Sequence, residues 1–151
     1  MIFFMLMNPI NDISTTLPPI QFEPVAEMQQ ASKNEYPDKF EKIQKKLYPD
    51  LAPLKVPQSG EQVFNAALEV GKNNETWKLH LKDAENMVLQ GTDTTALMKY
   101  TDDFVIRIES AGDEGSVVQM RSKSRVGRSD LGKNADRITD FFTALKKQLK
   151  N

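Results

Sequence analysis

The sequence predicts an α+β domain: a two-layer sandwich in which an antiparallel sheet of about four strands carries two helices on one face, with an irregular N-terminal extension. Three observations lead there. Alternating apolar segments at 77–82, 87–91, 104–108 and 118–120 are linked in pairs by short turns, and strands joined by hairpins run antiparallel. Segments 59–71 and 134–149 instead repeat apolar residues at helical spacing. Two striped helices need an apolar surface to cover, and one face of a single sheet is the economical one.

In chain order, residues 1–7 are wholly apolar. They are far short of the roughly 20 residues that span a bilayer, no basic residue precedes them, and no small-residue cleavage site follows. They read as a segment docked on the core or as a remnant of an export signal. Residues 8–35 are broken by Pro9, Pro18, Pro19 and Pro24, which favours an extended strap over the surface. Pro37 suits a helix start; Phe40, Ile43 and Leu47 then form one apolar stripe, and Pro49 stops it. Residues 1–50 are accordingly expected as an extension with one short helix, and 51–151 as the α+β domain. Leu54-Lys55-Val56, bracketed by prolines, is at most a short edge strand.

Ser59 and Gln62 make a capping box. Val63, Phe64, Ala67, Leu68 and Val70 continue that helix, and Gly71 is the expected stop. Trp77, Leu79 and Leu81 alternate with Lys78, His80 and Lys82 in a half-buried strand, which returns through a turn at 83–86. Residues 92–100 are ambiguous. Phe104, Ile106 and Ile108 form the next strand; Gly112 to Gly115 turn the chain; Val118 and Met120 line the returning strand. In the last helix Asn134 is the expected N-cap and Asp136 suits the positive end of the dipole. Ile138, Phe141, Phe142, Leu145 and Leu149 form its stripe.

The composition excludes several functions. The 151 residues include no cysteine and one histidine, His80, which removes thiol nucleophiles, thiolate metal sites and multi-histidine centres. Net charge is −1, so the molecule is not a generic polyanion binder. The charge is nevertheless segregated: residues 85–114 hold seven acidic and two basic side chains, residues 121–137 six basic and two acidic. Matching apolar faces of the two strands sets Ser110 opposite Ser116, Asp103 opposite Lys123 and Val105 opposite Arg121. Asp103, Arg121 and Lys123 then face outward, while Asp102 faces inward near Ser122 and Ser124. A carboxylate buried there needs hydrogen bonds or a cation such as Arg125 or Arg137.

The run Arg121-Ser122-Lys123-Ser124-Arg125-Val126-Gly127-Arg128-Ser129-Asp130-Leu131-Gly132-Lys133-Asn134-Ala135-Asp136-Arg137-Ile138, with Asp102-Asp103 upstream, resembles the family called domain of unknown function 1499. Members show a paired Asp followed by an Arg-Ser-x-Ser-Arg-x-Gly-x-Ser-Asp-x-Gly-x-Asn-x-x-Arg-Ile pattern. The resemblance covers residues 97–140 closely and extends from about Pro53 to the end. Lys123 stands where the family often has a small residue. The family usually carries an Asn-Cys-containing motif near its start; Ser32-Lys33-Asn34 is the degenerate counterpart here. The resemblance implies a compact α+β domain, often of bacterial envelope or plastid settings, and no established activity.

The segment reads as a binding loop for an acidic small molecule or partner group. Arg121, Arg125, Arg128 and Arg137 supply guanidinium donors, and Asn134 joins them at the helix start. Asp102, Asp103, Ser122, Ser124, Gly127, Asp130 and Gly132 support them. The alternative is an envelope-associated structural or interaction domain, in which the same residues tie the loop to the sheet. A third reading is a small enzyme using Asp102, Asp103 and Arg125, although adjacent strand residues point to opposite faces. No catalytic residue, cofactor or metal is expected. Nucleic acid is disfavoured because Trp77 and Phe104 point inward, away from any base. The composition leaves cytoplasmic and envelope-associated locations both open.

Overall fold

The structure is a computed structural model that describes residues 1–28 and 33–151. Among the described residues, four α-helices and six strands follow in the order α1 (Ile2–Met7), β1 (Asp12–Ser14), α2 (Asp38–Leu47), β2 (Leu54–Val56), α3 (Gly60–Asn73), β3 (Trp77–Asp83), β4 (Val88–Thr94), β5 (Thr101–Ser110), β6 (Ser116–Ser124) and α4 (Lys133–Leu149). All pairings are antiparallel. The sheet runs β1-β6-β5-β4-β3, and β2 also pairs with β6. β1 takes Arg121 to Lys123 and β2 takes Ser116 to Val118, so two short strands share one edge of β6. The α+β antiparallel class is as expected; the sheet is wider than four strands, and α1 adds a helix to the two of the domain and the one expected in the extension.

The β5–β6 register is the one that matching apolar faces requires, with Ser110↔Ser116, Asp103↔Lys123 and Val105↔Arg121. Phe104, Ile106, Ile108, Val118 and Met120 therefore share one face. There they form a single core cluster with Val63, Phe64 and Ala67 of α3 and Ile138, Phe141 and Leu145 of α4. Trp77 joins this side, its ring 4.1 Å from that of Phe104 and 5.7 Å from that of Phe141. The capping box of α3 is present in full. Gly71 does not end that helix, which continues to Asn73; the missing side chain instead lets Leu79 lie against the helix, where a Cβ would meet Leu79 Cδ1 at 3.1 Å. The free edge at β3 is blunted by exposed Lys78 and Lys82 and by a register shift between Leu79 and Leu81.

Residues 1–50 contribute more than one short helix. Ile10, Ile13, Phe40 and Leu47 lie in the same core cluster as α3 and α4. The strap after β1 crosses the other face of the sheet, where Ile20 and Phe22 form a second cluster with Val88 and Val105. Three amide side chains fix this segment by bracketing single residues as a strand neighbour would. The Gln44 amide accepts from Ser14 N at 3.1 Å and donates to Ser14 O at 2.7 Å. The Asn34 amide does the same for Phe22, at 2.7 and 3.2 Å, and Gln90 for Glu23, at 2.8 and 2.9 Å. Arg107 pairs with Glu23 at the rim. Buried backbone groups need partners, and amide side chains supply both donor and acceptor where the chain is too irregular for a ladder.

Candidate functional site

The motif residues converge at the end of the sheet where β6 runs into α4, but they are divided between the two faces. On the strap face, Arg121 is fully buried. Its Nε and Nη2 donate to the two oxygens of Asp12 at 2.9 and 2.7 Å, and Nη1 donates to Ile20 O at 2.9 Å and Asn34 Oδ1 at 3.3 Å. Its guanidinium carbon lies 4.9 Å from the Phe22 ring centroid. A buried guanidinium survives only when its donors are filled and its flat faces are packed, and both conditions hold. Beside it, Arg125 donates from Nε and Nη2 to the two oxygens of Asp103 at 2.8 and 2.9 Å. Burial pushes the Asp103 carboxyl above the usual aspartate range, while Arg125 pulls it back and is itself held charged. Lys123 Nζ donates to Lys33 O at 3.0 Å, and burial lowers its pKa.

On the helix face, Arg137 Nε donates to Asp93 Oδ2 at 2.6 Å, and Nη2 lies 2.9 Å from Asp102 Oδ2. Nη1 reaches Ser122 Oγ at 3.0 Å and Asn134 Oδ1 at 2.8 Å. Asn134 is fully buried at the centre of this cluster. Its oxygen accepts from the Ser122 hydroxyl at 2.7 Å, and its Nδ2 donates to Asp130 Oδ2 at 2.8 Å and Ser124 Oγ at 2.9 Å.

This geometry corrects the expected cap. The residue before α4 is Gly132, at φ +88°, and Asn134 sits in the first helical turn with its amide drawn into the sheet. Asp130 holds the approach to the helix instead, its Oδ1 accepting from Gly132 N at 2.8 Å and its backbone carbonyl from Lys133 N at 3.1 Å. Burial raises its pKa even so, with the Asn134 amide and the Gly132 and Asn134 backbone N–H groups opposing the shift. The positive end of α4 is thus met by a carboxylate of the chain itself.

Of the expected anion donors, Arg121, Arg125 and Arg137 are each committed to internal carboxylates. Arg128 is exposed and carries no salt bridge among the described residues. Gly127, at φ +87°, turns the loop and accepts from Asn11 Nδ2 at 2.8 Å. His80 makes no hydrogen bond to the loop's hydroxyls among the described residues; its Nε2 lies 3.2 Å from Thr92 Oγ1, and burial lowers its pKa, with the charges of Lys78, Glu27, Arg125 and Asp103 also acting on it. Asp12, Asn34 and Asp93 went unforeseen as partners. The available signal was Arg121 itself, an arginine on a strand face whose neighbour across β5 is Val105.

A cleft of about 550 Å³ opens beside this cluster, lined by Thr95, Tyr100, Asp102, Ser124, Val126, Gly127, Ser129, Asp130, Leu131 and Lys133. Tyr100, Val126 and Leu131 are exposed at its mouth. Asp102 and Asp130 are among its lining residues; both Asp130 oxygens and Asp102 Oδ2 are engaged by groups of the chain itself.

Fold and site together define a class: an antiparallel α+β domain whose sheet end is clasped by paired arginines and aspartates. The chain matches the family described as Protein of unknown function (DUF1499) over residues 12–145, and it belongs to that family. No curated protein matches the chain. The match starts on β1, ahead of the Ser32-Lys33-Asn34 region. Ser32 lies outside the described residues, and Asn34 holds Phe22 and Arg121.

Proposed function

We propose that the protein is a non-catalytic binding domain that takes an acidic small molecule or partner group at the cleft between residues 94–102 and 124–133. One observation carries the reading: an apolar-rimmed cleft is lined by the exposed cation Lys133, which makes no salt bridge among the described residues, and exposed Arg128 stands in the loop between the lining residues Gly127 and Ser129. Ligand sites combine apolar walls with a few polar groups, which suits an amphipathic acid. Arg128 and Lys133 would meet its charge, and Tyr100, Val126 and Leu131 its apolar part. Arg121, Arg125 and Arg137 hold the walls.

The purely structural alternative draws support from the internal pairing of those three arginines. The enzyme alternative loses it, because Asp102 and Asp103 face opposite sides of the sheet. Calorimetric titration with a panel of aromatic and aliphatic carboxylates and phosphates tests the reading. Binding weakened by Lys133→Ala, Arg128→Ala and Tyr100→Ala supports it. No binding across the panel, or binding indifferent to all three substitutions, leaves the motif structural.

A further inference from the structure

Residues 1–7 present an apolar surface that the described fold does not cover. In α1, Ile2, Phe3, Leu6 and Met7 are 66%, 77%, 59% and 67% exposed, while Met5 is half-buried against the core. Met5 seats the helix beside Gly132 and Tyr48 at the start of α4. No charged residue occurs before Asp12. Solvent-exposed apolar side chains gathered in this way mark a contact surface rather than ordinary protein exterior.

On the α2 side the neighbouring exposed charge is cationic, while Asp130 and Asp136 lie near Tyr48 beneath Met5. The Lys46 ammonium lies 4.8 Å from the centroid of the Phe4 ring, which fixes the C-terminal end of α2 against α1. Lys39, Lys42 and Lys46 recur at i, i+3 and i+7, so helical periodicity lines them along one side of α2. All three are exposed, and none makes a salt bridge among the described residues. Lys45, on another side, is tied to Glu41 at 2.6 Å. On the opposite flank, exposed Leu131 and Lys133 border Gly132.

We propose that α1 and the lysine row of α2 dock this protein on an anionic lipid surface. Apolar side chains without charge enter the acyl boundary, and lysines beside them lie at headgroup level. The helix has six residues, about 9 Å long at 1.5 Å per residue, against about 30 Å of hydrocarbon, a length that suits lying in the interface. A second copy of the chain is the poorer occupant. A two-fold contact through α1 brings two lysine rows together, and the repulsion opposes the apolar gain.

Co-sedimentation of the full chain with phosphatidylcholine vesicles, with and without phosphatidylserine, tests this. The expected result is partition onto the phosphatidylserine vesicles that falls as salt is raised. Phe3→Glu with Leu6→Glu lowers it by about tenfold or more, and Lys42→Glu with Lys46→Glu removes the preference for the anionic lipid. Phe3 and Leu6 are exposed, so the first variant leaves the melting temperature unchanged, while the second loses only the Lys46–Phe4 contact and remains folded at the assay temperature. Failure of the unsubstituted chain to sediment with either vesicle overturns the proposal. So does partition that Phe3→Glu with Leu6→Glu leaves intact, or a concentration-dependent dimer lost in that variant without vesicle binding.

Discussion

Asp102 and Asp103 are consecutive residues held by different arginines on opposite faces of the sheet. Arg137 Nη2 lies 2.9 Å from Asp102 Oδ2 on the helix side, while Arg125 grips both oxygens of Asp103 on the strap side. The pleat of β5 enforces the split, since successive side chains of a strand alternate. The pair that strand alternation predicts to face opposite ways forms two separate clasps, one fastening α4 and the other the loop after β6.

Arg125→Ala leaves the Asp103 carboxylate, 1% exposed, without its cation. The loss of a charge-assisted pair at a partly exposed arginine is about 2 kcal/mol, or roughly 4–8 °C in melting temperature for a chain of this size. Burial raises the Asp103 pKa, and removing Arg125 raises it further. The deficit therefore shrinks as the pH falls through the raised value and the carboxyl becomes neutral. Thermal melts at neutral and acidic pH check both statements; a deficit that grows in acid contradicts them.

For Asp12 and Arg121, both fully buried, breaking the pair costs more than deleting it. Arg121→Met alone leaves a buried carboxylate and is expected to cost about 3–5 kcal/mol. Asp12→Leu combined with Arg121→Met is expected to cost less than that single change. Urea unfolding of the three proteins gives the comparison.

The buried carboxyl of Asp130 and the exposed one of Asp83 titrate in opposite directions from an ordinary aspartate. Burial raises Asp130; hydrogen bonds from the Asn86 side chain and backbone lower Asp83. The native state holds the Asp130 proton more tightly than the unfolded chain does. Its stabilising contribution is complete below the ordinary aspartate value and is lost as pH rises through the raised one. The Asp83 contribution is complete above the ordinary value and disappears as pH falls through the lowered one. Carboxyl-resolved NMR titration is expected to show Asp130 protonating well before Asp83 on acidification; the reverse order refutes this reading of the two carboxyls.

The Tyr48 hydroxyl is buried without a hydrogen-bond partner among the described residues, and burial pushes its pKa up to about 12. An unsatisfied buried hydroxyl is a cost that phenylalanine removes. Tyr48→Phe is expected to be neutral or to stabilise by about 1 kcal/mol, roughly 2–4 °C in melting temperature. A marked loss in a thermal melt would show that the hydroxyl has a partner.

The central fold was legible because its signals are local. Apolar alternation in 104–108 and 118–120 fixed the β5–β6 register, and Ser59 with Gln62 fixed the start of α3. β1 was not legible. Asp-Ile-Ser is three residues long and polar at both ends, and it becomes a strand only because β6 offers an edge and Arg121 needs a carboxylate. Asn134 was misplaced as a cap for a related reason. An asparagine near a helix start is ordinarily a cap, but here Asp130 holds Gly132 ahead of the helix and the amide is taken by Ser122, Ser124 and Arg137. The convergence of the motif was visible in the sequence; its internal partners, Asp12 and Asp93, lie 109 and 44 residues from their arginines.

That separation orders assembly. The β5–β6 hairpin closes a short loop, whereas β1 reaches the same strand only after most of the chain has been made and folded back. Until then the Arg121 guanidinium stands in water on an uncovered sheet face. Loop length alone therefore makes the β1 pairing the costlier one to close. Amides of β1 are expected to exchange hydrogen ahead of those of β5, and that opening also withdraws Ile10 and Ile13 from the core they share with α3 and α4.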